Sequence, residues 1–399
     1  MDTLNRKLDL LKEKINAHKP LKIAIVGLGS VGNYLLNYLQ QWRYENIEIY
    51  VGSRNVEKAM KDVNIARLSS IIRDNTTKQL QVLQLDLEQI DSIQRFLEYV
   101  KPDFVVNSSR VYSGLKYGSI SWKNIRAYGL WAPLAIKYIK NIMQAHALAK
   151  SDAIVINTSY SDVVIPWLKS AGQNYPDFGS GNLNHLVPRI KVAVSELLPG
   201  SKVENINVIL ATSHFHDVVI SREGHTEGVP PLIKILNDGH LVQVDLQEVW
   251  KRCAVDIPVN AMRNMMNASS NFEIIKKIVE ALQYQTSQII HSPGVAGNIG
   301  GYPVQINGRE AKVSFYECFF SKQEMEHVNK KSIYLDGIEK IERGNLFYTD
   351  ELISKVKKVF GVTIPKEISY ADVESIASYI IKTIIEPQLE KNHEGSCHR

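Results

Sequence analysis

The chain has 399 residues, 44% of them hydrophobic, enough for a large core and for two or three domains, which excludes a disordered protein. Lys and Arg number 47 against 42 Asp and Glu, a formal net charge of +5 with no long run of one sign. That balance makes no positive case for a nucleic-acid partner and fits a small anionic ligand as well. Cys253, Cys318 and Cys397 are too scattered for a disulfide framework or a zinc-ribbon spacing, so a reducing cytoplasm is the expected compartment. The charged N-terminus lacks a signal-peptide core, and no run of about 18 apolar residues exists, so no membrane partner is expected.

Leu4, Leu8, Leu11 and Ile15 recur at helical spacing, predicting an amphipathic helix ended by Lys19-Pro20. Strands and helices then alternate: strand Lys22–Val26, a helix to about Gln40, strand Ile47–Val51, and a helical stretch holding Val63 and Leu68. Strand Leu80–Leu85, helix Ile90–Val100 and strand Phe104–Asn107 follow, then a long helix from about Trp122 to Ala149 and strand Ala153–Ile156. Such alternation predicts parallel β-α-β units, and the all-apolar strands suit a sheet covered on both faces.

After Val164 the texture changes to α+β: a strand Ile206–Ala211, helical patterns from Leu246 to Gln283, and a hairpin signal at Asn307-Gly308. In the tail, Val373, Ile376, Ala377, Ile380, Ile381 and Ile384 form an apolar helical stripe, stopped by Pro387. The expected organisation is a helix over 1–20, a Rossmann domain over 21–163, an α+β substrate and catalytic domain over 164–330, and an extension over 331–399 packed on the catalytic domain.

The stretch "IAIVGLGSVGNYLLNYL" runs a buried-type strand through G-x-G-x-x-G into a helix. Gly27 permits the tight turn, Gly29 the close approach of a pyrophosphate, and Gly32 the packing of helix on strand, leaving a helix N-terminus free for negative charge. An NAD enzyme would place Asp or Glu at the end of the second strand, about twenty residues on. Here stand Gly52-Ser53-Arg54. Arg54 and the Ser53 hydroxyl suit a 2′-phosphate, so NADP is expected, with NAD as the alternative. The cofactor-binding set is Gly27, Gly29, Ser30, Val31, Gly32, Ser53 and Arg54, with Asn107 at the end of the fourth strand.

From about Lys22 to Val313 the order of segments resembles the lactate and malate dehydrogenase family. "PDFVVNSSRVYSG" is similar to its fourth strand and the start of its substrate-closing loop, and "AIVINTSYSDVVIPWLKSAG" to its strand ending in Asn-Pro-x-Asp. "GSGNLNHLVPRIKVAVSELL" is similar to its Gly-x-x-Leu-Asp-x-x-Arg segment, and "VILATSHFHDVV" to the strand that carries its catalytic histidine. The resemblance implies hydride transfer between nicotinamide and a 2-hydroxy acid carbon, with a histidine exchanging the hydroxyl proton, and a homo-oligomer, as a dimer.

Carried over residue by residue, His214 is the first candidate acid/base and His216 the second; on a strand the two would share a face. Asn157 matches the Asn beside nicotinamide and substrate, and Arg110 lies near the loop arginine. Asn184 takes the place of the aspartate that orients the histidine, Val187 that of the carboxylate-binding arginine, with Arg189 two residues further on. Asparagine can orient an imidazole but supplies no charge to stabilise imidazolium. These departures point away from a simple lactate or malate dehydrogenase and toward an NADP-dependent reductase of a C=O or C=N bond beside an acidic group. Two other readings stand beside it: a metal-dependent hydrolase using the H-x-H-D stretch His214, His216 and Asp217, and a non-catalytic NADP-binding sensor. Tyr112 and Tyr160, on strand-end loops, are expected to pack, and the glycines from Gly294 to Gly301 need no ligand.

Overall fold

The computed structural model describes residues 1–112 and 114–394; Cys397 lies outside them. The chain begins with α1 (Asp2–Asn16) and runs through β1 (Leu21–Val26), α2 (Ser30–Gln41), β2 (Ile47–Ser53), α3 (Val56–Asp74), β3 (Gln79–Gln84), α4 (Ile90–Val100) and β4 (Phe104–Asn107). Helices α5 (Gly114–Asn124) and α6 (Ala132–Leu148) lead to β5 (Ile154–Asn157), α7 (Ser161–Ser170), β6 (Phe178–Gly179) and α8 (Asn182–Leu197). Then come β7 (Ile206–Ala211), α9 (His214–Glu223), β8 (Leu232–Asn237), β9 (His240–Leu241), α10 (Leu246–Cys253) and α11 (Asn264–Tyr284). Strands β10 (Ser287–Pro293), β11 (Gly301–Asn307) and β12 (Lys312–Phe315) precede α12 (Lys322–Leu335). The last elements are β13 (Ile338–Glu342), β14 (Asn345–Tyr348), α13 (Asp350–Phe360), β15 (Glu367–Ser369), α14 (Val373–Ile380) and α15 (Glu386–Glu394).

The expected Rossmann architecture is present: a six-stranded parallel sheet ordered β3-β2-β1-β4-β5-β6, with three small antiparallel sheets after it. Its sixth strand lies beyond residue 163. Period-two alternation sends neighbouring apolar residues to opposite faces. Ala24 and Val26 join one core with α4, α6 and α7, whereas Ile23 and Ile25 join a second core with α1, α2, α11 and β10–β12. The segment after residue 331 packs into the first core, against α6 and α7, through Ile338, Leu346, Tyr348, Val373 and Ile380. It therefore covers the Rossmann sheet and not the α+β half alone, because the apolar side of its small sheet meets α7.

Other expectations change in detail. The single helix over 122–149 is two helices, broken by a 3-10 turn at Gly129–Trp131. The tail stripe does not stop at Pro387: a π-helical turn at Ile381–Ile385 carries the helix past it into α15. Proline is tolerated near a new helix start, where its missing N–H has no required partner. The glycines from Gly294 to Gly301 link β10 to β11, with the Gly301 N–H donating to the Thr212 carbonyl at 2.9 Å. No helix among the described residues is long and apolar enough to cross a membrane.

Candidate functional site

A cavity of about 720 Å³ lies at the carboxyl ends of the parallel strands, where the strand order turns from β1 toward β2 on one side and β4 on the other. Such a reversal opens a crevice between the two diverging connections. At its floor Gly27 has φ of 82°, a left-handed turn suited to glycine, and its N–H donates to the Gly52 carbonyl at 3.0 Å. A Cβ on Gly32 would stand 2.6 Å from the Gly27 carbonyl oxygen and 3.2 Å from Ile25 Cγ2, so helix and strand meet too closely for any side chain. A Cβ on Gly29 would meet no protein atom within 4 Å. Gly29 begins α2 with no side-chain cap, so the first-turn N–H groups at Ser30, Val31 and Gly32 are left for an anion.

Gly27, Gly29, Ser30 and Val31 line the cavity, as do Ser53 and Arg54; Gly32 supports them from behind. Arg54 is exposed at the end of β2, joined by Lys58 from the first turn of α3. Asn107 and Asn157 lie beneath the cavity and do not line it. Fully buried, they join the ends of β4 and β5 through Asn107 Nδ2 donating to Asn157 Oδ1 at 2.9 Å. Arg110 lines the cavity, its Nη1 3.3 Å from the Tyr117 hydroxyl.

At the far end stands His214. It opens α9 and does not extend β7, so His214 and His216 point in different directions. His216 Nδ1 meets Ser332 Oγ at 2.7 Å and its Nε2 meets the Glu227 carbonyl at 2.8 Å, both away from the cavity. Burial pushes its pKa down to about 4 and keeps it neutral. The H-x-H-D residues thus do not converge on a metal; among the described residues the convergent His and carboxylate group is Glu223, His225 and Glu227. Arg126 already neutralises that group by ion pairs of 2.6 Å to both glutamates.

The group that holds His214 comes from the C-terminal segment. Asp336, fully buried in the turn between α12 and β13, places Oδ2 2.8 Å from His214 Nδ1 and accepts from the Tyr160 hydroxyl at 2.7 Å. Its Oδ1 accepts from the Tyr128 N–H at 2.7 Å, and its main-chain carbonyl from the Gly129 N–H at 2.8 Å. With Nδ1 committed to the carboxylate, Nε2 is left to the cavity that His214 lines. Burial alone would lower the imidazole pKa. The charge and hydrogen bond of Asp336, with Asp162 and Asp217, outweigh it and raise it above the ordinary 6.5. The rings of Tyr128 and Tyr160 meet the imidazole edge-on at 4.6 and 5.1 Å. Tyr160 therefore does more than pack.

Asn184 does not touch His214. Its Nδ2 donates to Glu273 at 3.3 Å, because α8 turns that position toward α11. Arg189, one turn later, is buried against the Cys253 and Val255 carbonyls at 2.8 and 3.3 Å and does not line the cavity. Its place as a cation is taken by Arg222 of α9 and Arg263 before α11, which both line the cavity. His185 also lines it, kept neutral by burial and by Arg263 and Arg189, with its pKa pushed down to about 3. The resemblance singled out His214, though on a strand, and nothing local signalled Asp336, Arg222 or Arg263.

No protein-family model matches the chain, and no curated protein sequence matches it. Solved structures do. Malate dehydrogenase from Aeropyrum pernix superposes with a TM-score of 0.51 and 14% identity, over 79% of this chain and 97% of that one. Lactate dehydrogenase from Eimeria maxima gives 0.48 and 13% over 78% and 92%. Malate dehydrogenase from Cryptosporidium parvum gives 0.47 and 16% over 79% and 98%. On the first of these, the chain shares the fold of a malate dehydrogenase, and the likeness is one of fold alone.

Proposed function

We propose that the protein is an oxidoreductase that uses a nicotinamide dinucleotide, NADP in preference to NAD, to reduce a C=O or C=N bond beside an acidic group, with His214 exchanging the proton. One observation carries the reading: a single cavity joins the uncapped N-terminus of α2 to the His214–Asp336 pair. The residues present fit the dinucleotide, since the glycine turn leaves room for a pyrophosphate, and the cations Arg54 and Lys58 in the same cavity would suit a 2′-phosphate. When bound, the nicotinamide supplies or takes the hydride.

The chain's own residues provide the rest. Asp336 fixes the imidazole tautomer and favours imidazolium, so His214 Nε2 can protonate the developing alkoxide, or the amine nitrogen formed from an imine, and recover the proton in reverse. Arg222 and Arg263, with Arg110, provide guanidinium groups for a substrate carboxylate. The sensor alternative rested on the loss of both the orienting aspartate and the carboxylate-binding arginine; Asp336 beside His214, and Arg222 and Arg263 in the cavity, weigh against it. Titration of the purified protein with NADPH and NADH, followed by fluorescence or calorimetry, tests the reading. NADPH should bind more tightly, and binding of neither nucleotide ends it.

A further inference from the structure

Proton transfer by His214 leaves one buried carboxylate of the same cavity without a task. Asp217 is 5% exposed and lines the cavity on the face of α9 that also presents His214, Val218 and Arg222. Its side-chain hydrogen bond among the described residues is a long one, from Ser221 Oγ at 3.4 Å. The charges that face it are His214, Arg263, Arg189 and Asp162, and none of them is within hydrogen-bonding reach. Arg189 is committed to two main-chain carbonyls.

The N-terminal dipole of α9 accounts for an acidic residue in the first turn. It does not account for one buried against a cavity with no strong donor. A carboxylate removed from water needs a partner, or it gives up its charge. Burial accordingly raises the Asp217 pKa to about 6, still leaving most of the group ionised at neutral pH. A site for a plain 2-oxo acid would gain nothing from this group, which would repel the substrate carboxylate.

We propose that Asp217 receives a protonated nitrogen of the substrate, so that the substrate class is an amino acid or amino-acid derivative and not a simple hydroxy or oxo acid. Its carboxylate would lie against Arg222 and Arg263, which both stand within electrostatic reach of Tyr128 beside His214. Side chains three apart on a helix are about 5–6 Å apart at Cβ, so the ammonium sits close to the reacting carbon. The inference rests on the oxidoreductase reading for the position of that carbon.

The test uses matched ligands that differ by one ammonium group: glutarate and glutamate, succinate and aspartate, propionate and alanine. Binding to the full protein is measured by calorimetry at pH 7.5, with and without saturating NADPH. The amino member of at least one pair should bind about tenfold or more tightly, the value of one charge-assisted hydrogen bond. In Asp217→Asn, checked for an unchanged melting curve, that preference should vanish. Equal or weaker binding of every amino member, no binding in any pair, or a preference that survives in Asp217→Asn overturns the proposal. The first and last of these results are those expected if Asp217 only balances Arg263. An amino preference without NADPH binding would instead remove the oxidoreductase reading and leave the ammonium site standing.

Discussion

Asp336 Oδ2 lies 2.8 Å from His214 Nδ1, and the two residues are 122 positions apart in the chain. The same oxygen accepts a hydrogen bond from the Tyr160 hydroxyl, and the other oxygen accepts one from the Tyr128 N–H. In Asp336→Asn, the amide can still accept from Tyr128 through its oxygen, but its nitrogen faces the imidazole as a donor. The histidine is then forced into the opposite tautomer. A loss of about 10²–10⁴-fold in kcat, the usual worth of a positioned acid or base, should follow with a small change in Tm. Asp336→Ala should also unfold more easily, by about 1–3 kcal/mol for each donor left unpaired.

The raised pKa of His214 fixes the sign of the pH dependence. In the reductive direction the histidine must carry the proton, so kcat should be level at low pH and fall as pH rises through a value above the ordinary 6.5. Oxidation should show the reverse. The pair's contribution to stability is complete below the unfolded value and is lost as pH rises through the folded one. Rate profiles in both directions, beside those of Asp336→Asn, check this; a reductive profile that rises with pH contradicts it.

Arg54→Ala removes a cation from the end of β2. NADPH should bind about 10–100-fold more weakly while NADH binding changes little, because only the former carries the extra phosphate. Lys58→Ala should act in the same direction. Calorimetric titration of each variant with both nucleotides measures the discrimination directly.

Lys7 of α1 is ion-paired to Asp177 at 2.7 Å, with the two side chains 5% and 9% exposed. The same carboxylate oxygen accepts from the Val155 N–H at 2.8 Å, so the pair fastens the N-terminal helix to the edge of β5. Lys7→Ala strands a buried charge and should destabilise the fold by about 3–5 kcal/mol. Lys7→Met with Asp177→Asn should recover much of that loss. Urea denaturation of the two variants beside the unaltered protein gives the comparison.

The Rossmann half was legible because its signals are local. Buried strands read as apolar runs, the glycines keep their motif spacing within six residues of one another, and Gly27, Gly29 and Arg54 line one cavity. The His214 end of the cavity was legible only in part. His214 stood out, but the same letters fit a strand or a helix start, and α9 turned His216 into a neutral structural residue. The residue that orients His214 was expected to be Asn184, on α8. Nothing in a sequence pattern links His214 to a turn after α12, since that pairing exists only once the tail has packed on α6 and α7. Arg189 shows the same limit: a cation two residues from the expected place turns out to be spent on carbonyls.

The position of Asp336 also orders events in time. A ribosome finishes the whole parallel sheet, ending at β6, well before it delivers the turn that grips His214. On the proposed reading, proton exchange at His214 therefore waits until the last small sheet has docked, and turnover would report the completion of folding.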